Sequence, residues 1–515
     1  MYISIHGKNK MNKNIRIITA LCIVAFSIYI PVNLKGTQDA HMLSLLSGDE
    51  NIQYPYLTHM LVGGNTLFET IKNFISYQHY FYGYPFYLVS AITIFPVRLI
   101  AGVAFSDQVQ LNLLLLRQII SVIPMLLSIA LLVYLQTEFK DLLKSSFLLF
   151  LLITIPAVTR NNIWFWHPDA LALLGIVTAI YFLKKDNLQL EKNFYYAAIA
   201  SGMAGAIKVI GVFFFLVILL YLVIGLKEKR GDLKILGKKA IFFLLIFLLV
   251  FLLVNPLLLI PQTRTQILKI QMQQNKYVRE GWTDENVYQT GLKSWLPYFN
   301  QWYANGIILL FLLGSLIYGI LRGTNRLVNS LLLAWLIPYS IYLLFFVAVK
   351  PFHYPLPVMI PLFSTALNLF QNEHISHSNI SSGPLRIAAA GLLLFMMVNN
   401  SITSWRVYKE YYEKEYLLLA CNSAAENEAD GSTVNLSIDI WYRIEQYDLT
   451  VEPQTHFFSI GQGSAQISAT EDRGIIAWAC QDENAAYFSA SRLAISFKKS
   501  HPTFTVLGPD GQEIK

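Results

Sequence analysis

Four stretches of this sequence carry side chains that could do chemistry, and each borders an apolar run. The first is residues 36–42, where Asp39 follows the first apolar segment and is the first acidic residue of the chain. A carboxylate partly shielded from water can act as a general base toward a hydroxyl. The alternative is that Asp39 only caps a following helix, because Asp is a favoured N-cap residue. We predict that Asp39 is the base.

The second stretch is residues 164–169, WFWHPD, which places Trp166, His167 and Asp169 between two apolar runs. Aromatic rings beside a histidine and a carboxylate are what a sugar-phosphate pocket would use. Helix initiation also explains the segment, because Pro and Asp favour the first helical turn. Tryptophans equally suit a membrane interface.

The third candidate is Lys208, which lies within an apolar run. A lysine inside a membrane is energetically costly and needs a reason. Snorkelling of the side chain to the interface is one reason, and pairing with a phosphate is another. Arg117 and Arg160 could join Lys208 in such a pairing.

The fourth stretch is residues 350–357, KPFHYPLP, which brings His353 and Tyr354 to the start of an apolar run. Its alternative is a proline-rich entry to a helix. The sequence contains no P-loop, no HExxH and no CxxC. It therefore gives no sign of a soluble nucleotide-binding domain.

Composition indicates the elements that must position these groups. Of the 515 residues, 55% are hydrophobic and 14% are charged, against roughly 25% charged in soluble domains. Several apolar runs approach the ~20 residues that a helix needs to cross a ~30 Å hydrocarbon core. Backbone groups in lipid must be satisfied within the segment, so these runs are helices. We predict a mainly α, polytopic transmembrane bundle. The net charge of +7 comes from short basic loops, which is the positive-inside pattern and no sign of nucleic-acid binding.

Charge placement predicts eleven spans with the N-terminus in the cytoplasm. The first is residues 17–32, and the others are about 111–135, 145–158, 169–183, 194–207, 209–226, 240–260, 304–321, 327–348, 354–370 and 387–404. Residues 84–105 are predicted to lie along the outer surface, because a span there would put the basic cluster of residues 227–239 outside. Residues 33–110 and 261–303 are then outer loops. Residues 194–226 form a hairpin with its outer turn near Lys208.

Two domains are predicted. Residues 1–404 form the transmembrane domain, and residues 405–515 form a small β-rich domain on the extracytoplasmic side, because short alternating runs separated by turns are typical of strands. Cys421 and Cys480 lie in that second domain. They could form a disulfide if it is outside the cytoplasm, and the sequence does not settle their geometry.

Together these stretches resemble the GT-C superfamily of integral-membrane glycosyltransferases, most closely the bacterial branch related to protein mannosyltransferases and the lipid A aminoarabinose transferase. The resemblance covers roughly residues 15–370, and the order of the motifs carries it. These motifs are GTQDA (36–40), YGYPFY (82–87), LR (116–117), WHPDALAL (166–173), GMAGAIKVIG (202–211) and HYPLP (353–357).

The resemblance implies transfer of a sugar from a polyprenyl-phosphate-linked donor to an acceptor hydroxyl at the outer face, with inversion. Asp39 would be the catalytic base, and Lys208 and Arg117, with His353, would balance the departing phosphate. The implied substrate-binding residues are completed by Asp169, His167, Tyr354 and Trp166, and the aromatic walls of the sugar site are Trp164, Trp166 and Trp282. The acceptor is a glycan, a lipid or a protein of the cell envelope.

One departure from the family leaves the metal question open. The family often has Asp-Glu in the first outer loop, whereas Ala40 follows Asp39 here. No cofactor is therefore indicated with certainty, and a divalent metal ion remains an alternative. The expected location is the plasma (inner) membrane.

Two other functions fit the sequence. A transporter or flippase of a lipid-linked glycan would use charges near the midplane and often internal repeats, whereas the charges here concentrate at one face and no repeat is evident. A glycan polymerase or ligase would use the same outer-face chemistry.

Overall fold

The computed structural model describes residues 2–37, 43, 47–281, 289–370 and 382–413, and four short strands beyond them. Asp39, Trp282, Cys421 and Cys480 lie outside the described residues. The described chain up to residue 413 is almost entirely helical. Apolar runs, proline at first turns and short polar caps explain where the helices begin.

The first half of the chain, up to Asp186, contains nine α-helices within the described residues. They are α1 (Tyr2–Asn33), α2 (Gly48–Met60), α3 (Leu67–Ile75), α4 (Tyr84–Ala101), α5 (Val109–Leu116), α6 (Ile123–Thr137), α7 (Leu142–Ile153), α8 (Pro156–Asn161) and α9 (Asp169–Asp186). A 3₁₀ turn, Gly102–Asp107, extends α4, and a π-helical turn, Arg117–Val122, joins α5 to α6.

The second half continues with α10 (Lys192–Ile207), α11 (Phe215–Lys227), α12 (Leu233–Leu253), α13 (Pro261–Glu280), α14 (Leu292–Trp302), α15 (Gly306–Arg322), α16 (Arg326–Phe346), α17 (Leu356–Ser364) and α18 (Ser382–Glu413). Three 3₁₀ segments are Val209–Phe214, Pro256–Leu259 and Thr365–Phe370. The described strands are β1 (His456–Ile460), β2 (Gly463–Ile467), β3 (Ile475–Ile476) and β4 (Thr505–Val506). β1 and β2 pair antiparallel, and β3 and β4 pair parallel.

Seven helices in the described part of the chain are long and apolar enough to cross a membrane, so this is an integral membrane protein. They are Met11–Asn33, Tyr84–Asp107, Val109–Thr137, Val209–Lys227, Leu233–Leu253, Arg326–Phe346 and Arg386–Tyr412. An eighth results if α14 and α15, which meet at a bend of 92°, count as one broken span.

The prediction of eleven spans is therefore wrong, and helix breaks are the reason. The apolar run 145–158 is divided by Pro156, which starts α8 after α7 has ended. The run 194–207 yields only the 16 residues of α10, and 354–370 divides into α17 and a 3₁₀ segment. Residues 84–105, predicted to lie on the surface, belong to one of the seven candidate helices.

Within the described residues, the prediction that a β-rich fold begins at residue 405 is also wrong. Residues 405–413 continue helix α18. The strands described beyond them are two of five residues and two of two residues, in two separate two-stranded sheets. Alternating polar and apolar residues were the only basis for that domain, and such alternation in short runs does not by itself specify a packed sheet.

The chain divides into two compact units. The first consists of residues 1–33, 55–106 and 112–409, and the second of residues 34–54, 107–111 and 410–515. Within the second unit, Gln110 donates a hydrogen bond to the Leu34 carbonyl (2.8 Å), and Lys35 donates to the Tyr412 carbonyl (2.6 Å). All contacts described below lie within the first unit.

The chain reverses at Lys208 as the hairpin prediction required. α10 ends at Ile207, Lys208 has an extended backbone (φ −147°, ψ 132°), and a 3₁₀ segment leads into α11. A Cβ on Gly211 would lie 2.3 Å from the Gly205 backbone nitrogen, so only glycine permits this close approach. Phe194 near the start of α10 stacks on Tyr221 of α11, with ring centroids 5.8 Å apart.

The break at Lys208 is bound to the aromatic segment of residues 77–87. The Gly83 N–H donates to the Ile207 carbonyl (3.1 Å). Asn255 accepts from the Tyr84 N–H (2.9 Å) and donates to the Ala206 carbonyl (3.4 Å). Backbone groups freed by the break are thus satisfied by neighbouring segments, as a helix break within a membrane protein requires.

The contact between Gly83 and α10 predicts a specific sensitivity. A Cβ at Gly83 would lie 1.6 Å from the Ala206 carbonyl oxygen, which is backbone and cannot turn aside. We expect Gly83→Ala to destabilise the fold by about 1–3 kcal/mol, the usual cost of overpacking. The measurement is thermal unfolding of the purified protein in detergent.

The matched control is Gly63→Ala, where an added Cβ meets nothing within 4 Å. That variant should unfold at nearly the native temperature. Equal unfolding temperatures for the two variants would show that residues 77–87 do not pack on α10 as described.

Candidate functional site

A buried ion pair between Lys208 and Asp169 forms the centre of the candidate site. Lys208 Nζ lies 2.6 Å from Asp169 Oδ1. The Asp169 side chain is completely buried and that of Lys208 is 16% exposed. Asp169 is the first residue of α9, where the positive end of the helix dipole favours a carboxylate.

His167 occupies the other oxygen of the same carboxylate. Its Nδ1 is hydrogen-bonded to Asp169 Oδ2, and its Nε2 to the Tyr82 hydroxyl at 2.5 Å. In the neutral tautomer with its proton on Nδ1, His167 donates to Asp169 and accepts from Tyr82. Tyr82, His167, Asp169 and Lys208 thus form one continuous chain of hydrogen bonds.

His353 and Tyr354 complete the site from the loop between α16 and α17. The His353 ring lies 4.6 Å from the His167 ring between centroids, and Lys208 Nζ lies 5.2 Å from the centre of the Tyr354 ring. Two tyrosine hydroxyls fix this loop, because Tyr303 donates to the Phe352 carbonyl (2.6 Å) and Tyr339 to the Tyr354 carbonyl (2.9 Å).

One polar atom of the site has no hydrogen-bond partner among the described residues. His353 Nδ1 is buried and unpaired, and the residue as a whole is 8% exposed. Burial holds the pKa of His353 well below its ordinary value, and the charges of Lys208 and Arg160 act in the same direction against the attraction of Asp169. The ring is therefore neutral at pH 7. It can offer a hydrogen bond and no positive charge.

Aromatic rings surround the charged groups. Phe165 stacks on His167, with ring centroids 4.6 Å apart, and lies 5.1 Å from Phe352. The Arg160 guanidinium lies 5.1 Å from the Phe352 ring, and Trp302 lies 5.7 Å from the same ring. A cation beside aromatic faces is the usual lining of a site for a ring-shaped polar ligand.

Five of the predicted site residues therefore come together: Asp169, His167, Lys208, His353 and Tyr354. Arg117 is placed differently. It lies fully buried in the π-helical turn, donates to the Asn33 carbonyl at the end of α1 (3.0 Å) and faces the Trp164 ring. It anchors the end of α1.

The tryptophans predicted as walls are packed into the protein. Trp166 donates to the Ser90 hydroxyl (2.9 Å) and stacks on Phe86. Trp164 donates to the Val32 carbonyl (2.6 Å). Both are buried, so they position the 164–169 segment, and Phe165 between them points toward His167. Asp39 and Trp282 fall outside the described residues and stay predictions.

Neither Tyr82, noted only as part of the YGYPFY motif, nor His79 was predicted as a site residue. His79 binds the Tyr87 hydroxyl through Nδ1 (2.5 Å), and its ring lies 5.8 Å from that of Tyr82. The aromatic block in which both occur was visible in the sequence. A histidine three residues before a tyrosine in such a block is the signal that could have singled them out.

Three ligand-bearing side chains lie close enough for a metal ion. One ligand atom each from His167, Asp169 and His353 lies within 4.8 Å of the others. As the side chains stand, they do not fit a divalent ion. Both Asp169 oxygens are already bound, one of them by the ammonium of Lys208.

Structural comparison finds similarity to two solved structures from Archaeoglobus fulgidus. One is the oligosaccharyltransferase AglB in complex with an inhibitory peptide and a dolichol-phosphate (12% identity, 76% of this chain, 56% of that chain, TM-score 0.47). The other is an oligosaccharyltransferase in the apo form (14% identity, 76% and 56% coverage, TM-score 0.43). This chain thus spans little more than half the length of either. No family model and no curated protein matches the sequence.

The buried imidazole of His79 predicts a pH dependence of stability. Burial, followed by the proximity of His167, lowers the pKa of His79 to about 4. Below its ordinary pKa of about 6.5, the unfolded chain takes up a proton at His79 that the folded chain does not. Stability from this group is therefore complete above about pH 6.5 and lost as the pH falls toward 4, by about 1.4 kcal/mol per unit at most.

Thermal unfolding of native protein and His79→Gln between pH 7.5 and 4.5 tests this expectation. The glutamine can still bind the Tyr87 hydroxyl but does not titrate. Acidification should lower the native unfolding temperature more than that of the variant. Parallel curves for the two proteins would contradict the assignment.

Proposed function

We propose that this chain is a membrane glycosyltransferase that moves a sugar from a polyprenyl-phosphate-linked donor to an acceptor hydroxyl on the outer face. The observation that carries the proposal is the ion pair of Lys208 and Asp169 beside His353 and Tyr354, buried among aromatic rings in an integral membrane protein. An ionisable residue within an apolar run of a membrane protein marks a functional site by default.

Lys208 is suited to bind the donor phosphate. An ammonium has three hydrogens, and Asp169 accepts from it at a single oxygen, Oδ1. The ammonium also lies 5.2 Å from the centre of the Tyr354 ring, and Tyr354 follows His353 in the same loop. Lys208 would therefore stabilise the negative charge that develops on the departing phosphate, and His353 would add a hydrogen bond.

Asp169 is poorly placed to act as the base. Its two oxygens are engaged by Lys208 and His167, and taking up a proton would weaken the ion pair with Lys208. We assign the role of the base to Asp39. Asp169 instead fixes the position of Lys208.

The reaction then proceeds by single displacement. The acceptor oxygen attacks the anomeric carbon while its proton passes to Asp39, and a new C–O bond forms. The bond from that carbon to the donor phosphate breaks, and polyprenyl phosphate leaves with the electron pair. The anomeric configuration is inverted. Phe352 and Trp302 offer apolar faces against which the sugar ring could lie.

The direct test uses purified protein, a polyprenyl phosphate carrying a radiolabelled sugar, and a panel of glycan, lipid and peptide acceptors. Native protein should transfer label to at least one acceptor class, with inverted configuration by NMR. Asp39→Asn should reduce turnover by about 10²–10⁴-fold, the usual contribution of a general base. Asp49→Asn, an exposed aspartate in α2, is the matched control and should retain activity.

Movement of the lipid-linked donor across liposomes without transfer of label would contradict the proposal and favour a flippase. Equal turnover of native protein and Asp39→Asn would remove Asp39 from the reaction while leaving the reaction class standing.

Lys208→Ala tests the phosphate-binding role. Loss of one preorganised electrostatic group typically lowers kcat by about 10²–10³-fold. Because the substitution also leaves Asp169 buried without its partner, Lys208→Ala/Asp169→Asn is made in parallel to remove the unpaired charge. Both variants should show at least that loss of turnover, and the double variant should unfold at a higher temperature than the single one.

Lys276→Ala provides the control, because Lys276 is exposed and pairs only loosely with Glu280 at 3.8 Å. Turnover at the native rate in folded Lys208→Ala would exclude the lysine from the mechanism.

A further inference from the structure

Three side chains near Lys208 are of the kinds that bind a divalent metal ion, although Lys208 itself already pairs with the carboxylate among them. Two imidazoles and one carboxylate, from His167, His353 and Asp169, each offer a ligand atom within 4.8 Å of the others, and all three are buried. Two histidines and a carboxylate, with one position left open, are a recurrent ligand set for zinc. Imidazole nitrogens favour Zn²⁺ over Mg²⁺ or Ca²⁺, which prefer oxygen.

The ammonium of Lys208 already places a positive charge beside Asp169. Lys208 Nζ lies 2.6 Å from Asp169 Oδ1, closer than a loose surface pair would be. The other carboxylate oxygen is bound by His167 Nδ1. A metal ion bound to Asp169 would share the carboxylate with these partners and lie beside an ammonium of like charge.

The unpaired nitrogen of His353 is the second observation that points to a ligand. Its Nδ1 is buried without a hydrogen-bond partner among the residues that the structure describes. Buried polar atoms are nearly always paired, so an exception needs a reason. The ring lies next to His167 and is held on a loop that Tyr303 and Tyr339 fix. The ring is therefore positioned to bind a ligand in this cluster.

We propose that the ammonium of Lys208 takes the place of a divalent metal ion, so that the native site needs none, and that an uncharged residue at 208 converts His167, Asp169 and His353 into a Zn²⁺ site. Without Lys208, Asp169 is a buried carboxylate lacking a counter-charge, and such a group takes up a proton, acquires a cation or destabilises the fold. His167 can turn its lone pair to the ion once the carboxylate is shared with the metal.

Zinc binding to full-length protein in detergent tests this inference. Native protein and the variants are stripped with a chelator and titrated with Zn²⁺ by isothermal calorimetry. Lys208→Ala should bind one equivalent more than native. Lys208→Arg keeps the charge, and Lys208→Ala/His353→Ala removes a ligand, so both should bind the same number of zinc ions as native protein. Zinc bound elsewhere on the protein is common to all of them and does not affect the comparison.

Thermal unfolding gives an independent readout, since a ligand that binds only the folded state raises the unfolding temperature. Zinc should stabilise Lys208→Ala and leave Lys208→Arg unchanged. If stripped Lys208→Ala does not fold, the proteins are purified in zinc and analysed for bound metal, and Lys208→Ala should again exceed native by one equivalent.

Two results would overturn the inference: no additional zinc in Lys208→Ala, or loss of one zinc from native protein when His353→Ala is introduced. Neither readout requires turnover, so an inactive protein would refute the proposed transferase function without affecting this test. Where native protein does turn over, a chelator should leave its rate unchanged.

Discussion

The ion pair between Lys208 and Asp169 is the interaction on which the rest of the site depends. Removing two charges from water is costly, and the cost is repaid only when geometry is good and the remaining donors and acceptors are satisfied. Here the carboxylate begins a helix, receives a second hydrogen bond from His167 and faces an ammonium at 2.6 Å. Removing one partner of such a pair typically costs about 3–5 kcal/mol. The surrounding fold must therefore keep both residues in place.

Broken helices provide that constraint. Lys208 can reach Asp169 because the chain is extended at residue 208, between α10 and a 3₁₀ segment, and because Gly211 packs directly on Gly205. The break exposes the carbonyls of residues 206 and 207, which Asn255 and the Gly83 N–H satisfy. The same contacts carry the aromatic segment to the site, so Tyr82 meets His167. The contacts that satisfy the backbone at the helix break are therefore the ones that bring Tyr82 into the site.

The chemistry of single positions could be predicted from the sequence, whereas their pairing could not. Lys208 stood out because a lysine in an apolar run is costly, and His167 and Asp169 stood out at a helix start. That Asp169 binds Lys208, 39 positions away, depends on how α9 and α10 pack, which local pattern does not encode. Tyr82 was missed for the same reason. The span count failed because hydropathy registers apolar length but not breaks such as those at Pro156 and Lys208.

Charge balance connects this architecture to the proposed chemistry. Lys208 and Asp169 cancel, and burial keeps His353 neutral, so these three groups carry no net charge before substrate enters. A donor phosphate would then compete with Asp169 for the ammonium and would not meet an uncompensated cation. That competition limits how tightly the phosphate is held. It favours release of the lipid phosphate after transfer, because Asp169 regains its full ion pair as the product leaves. A divalent ion in the same place would bind the donor phosphate and the released lipid phosphate more strongly. A lysine paired with a carboxylate therefore suits a site that releases an anionic lipid after each transfer.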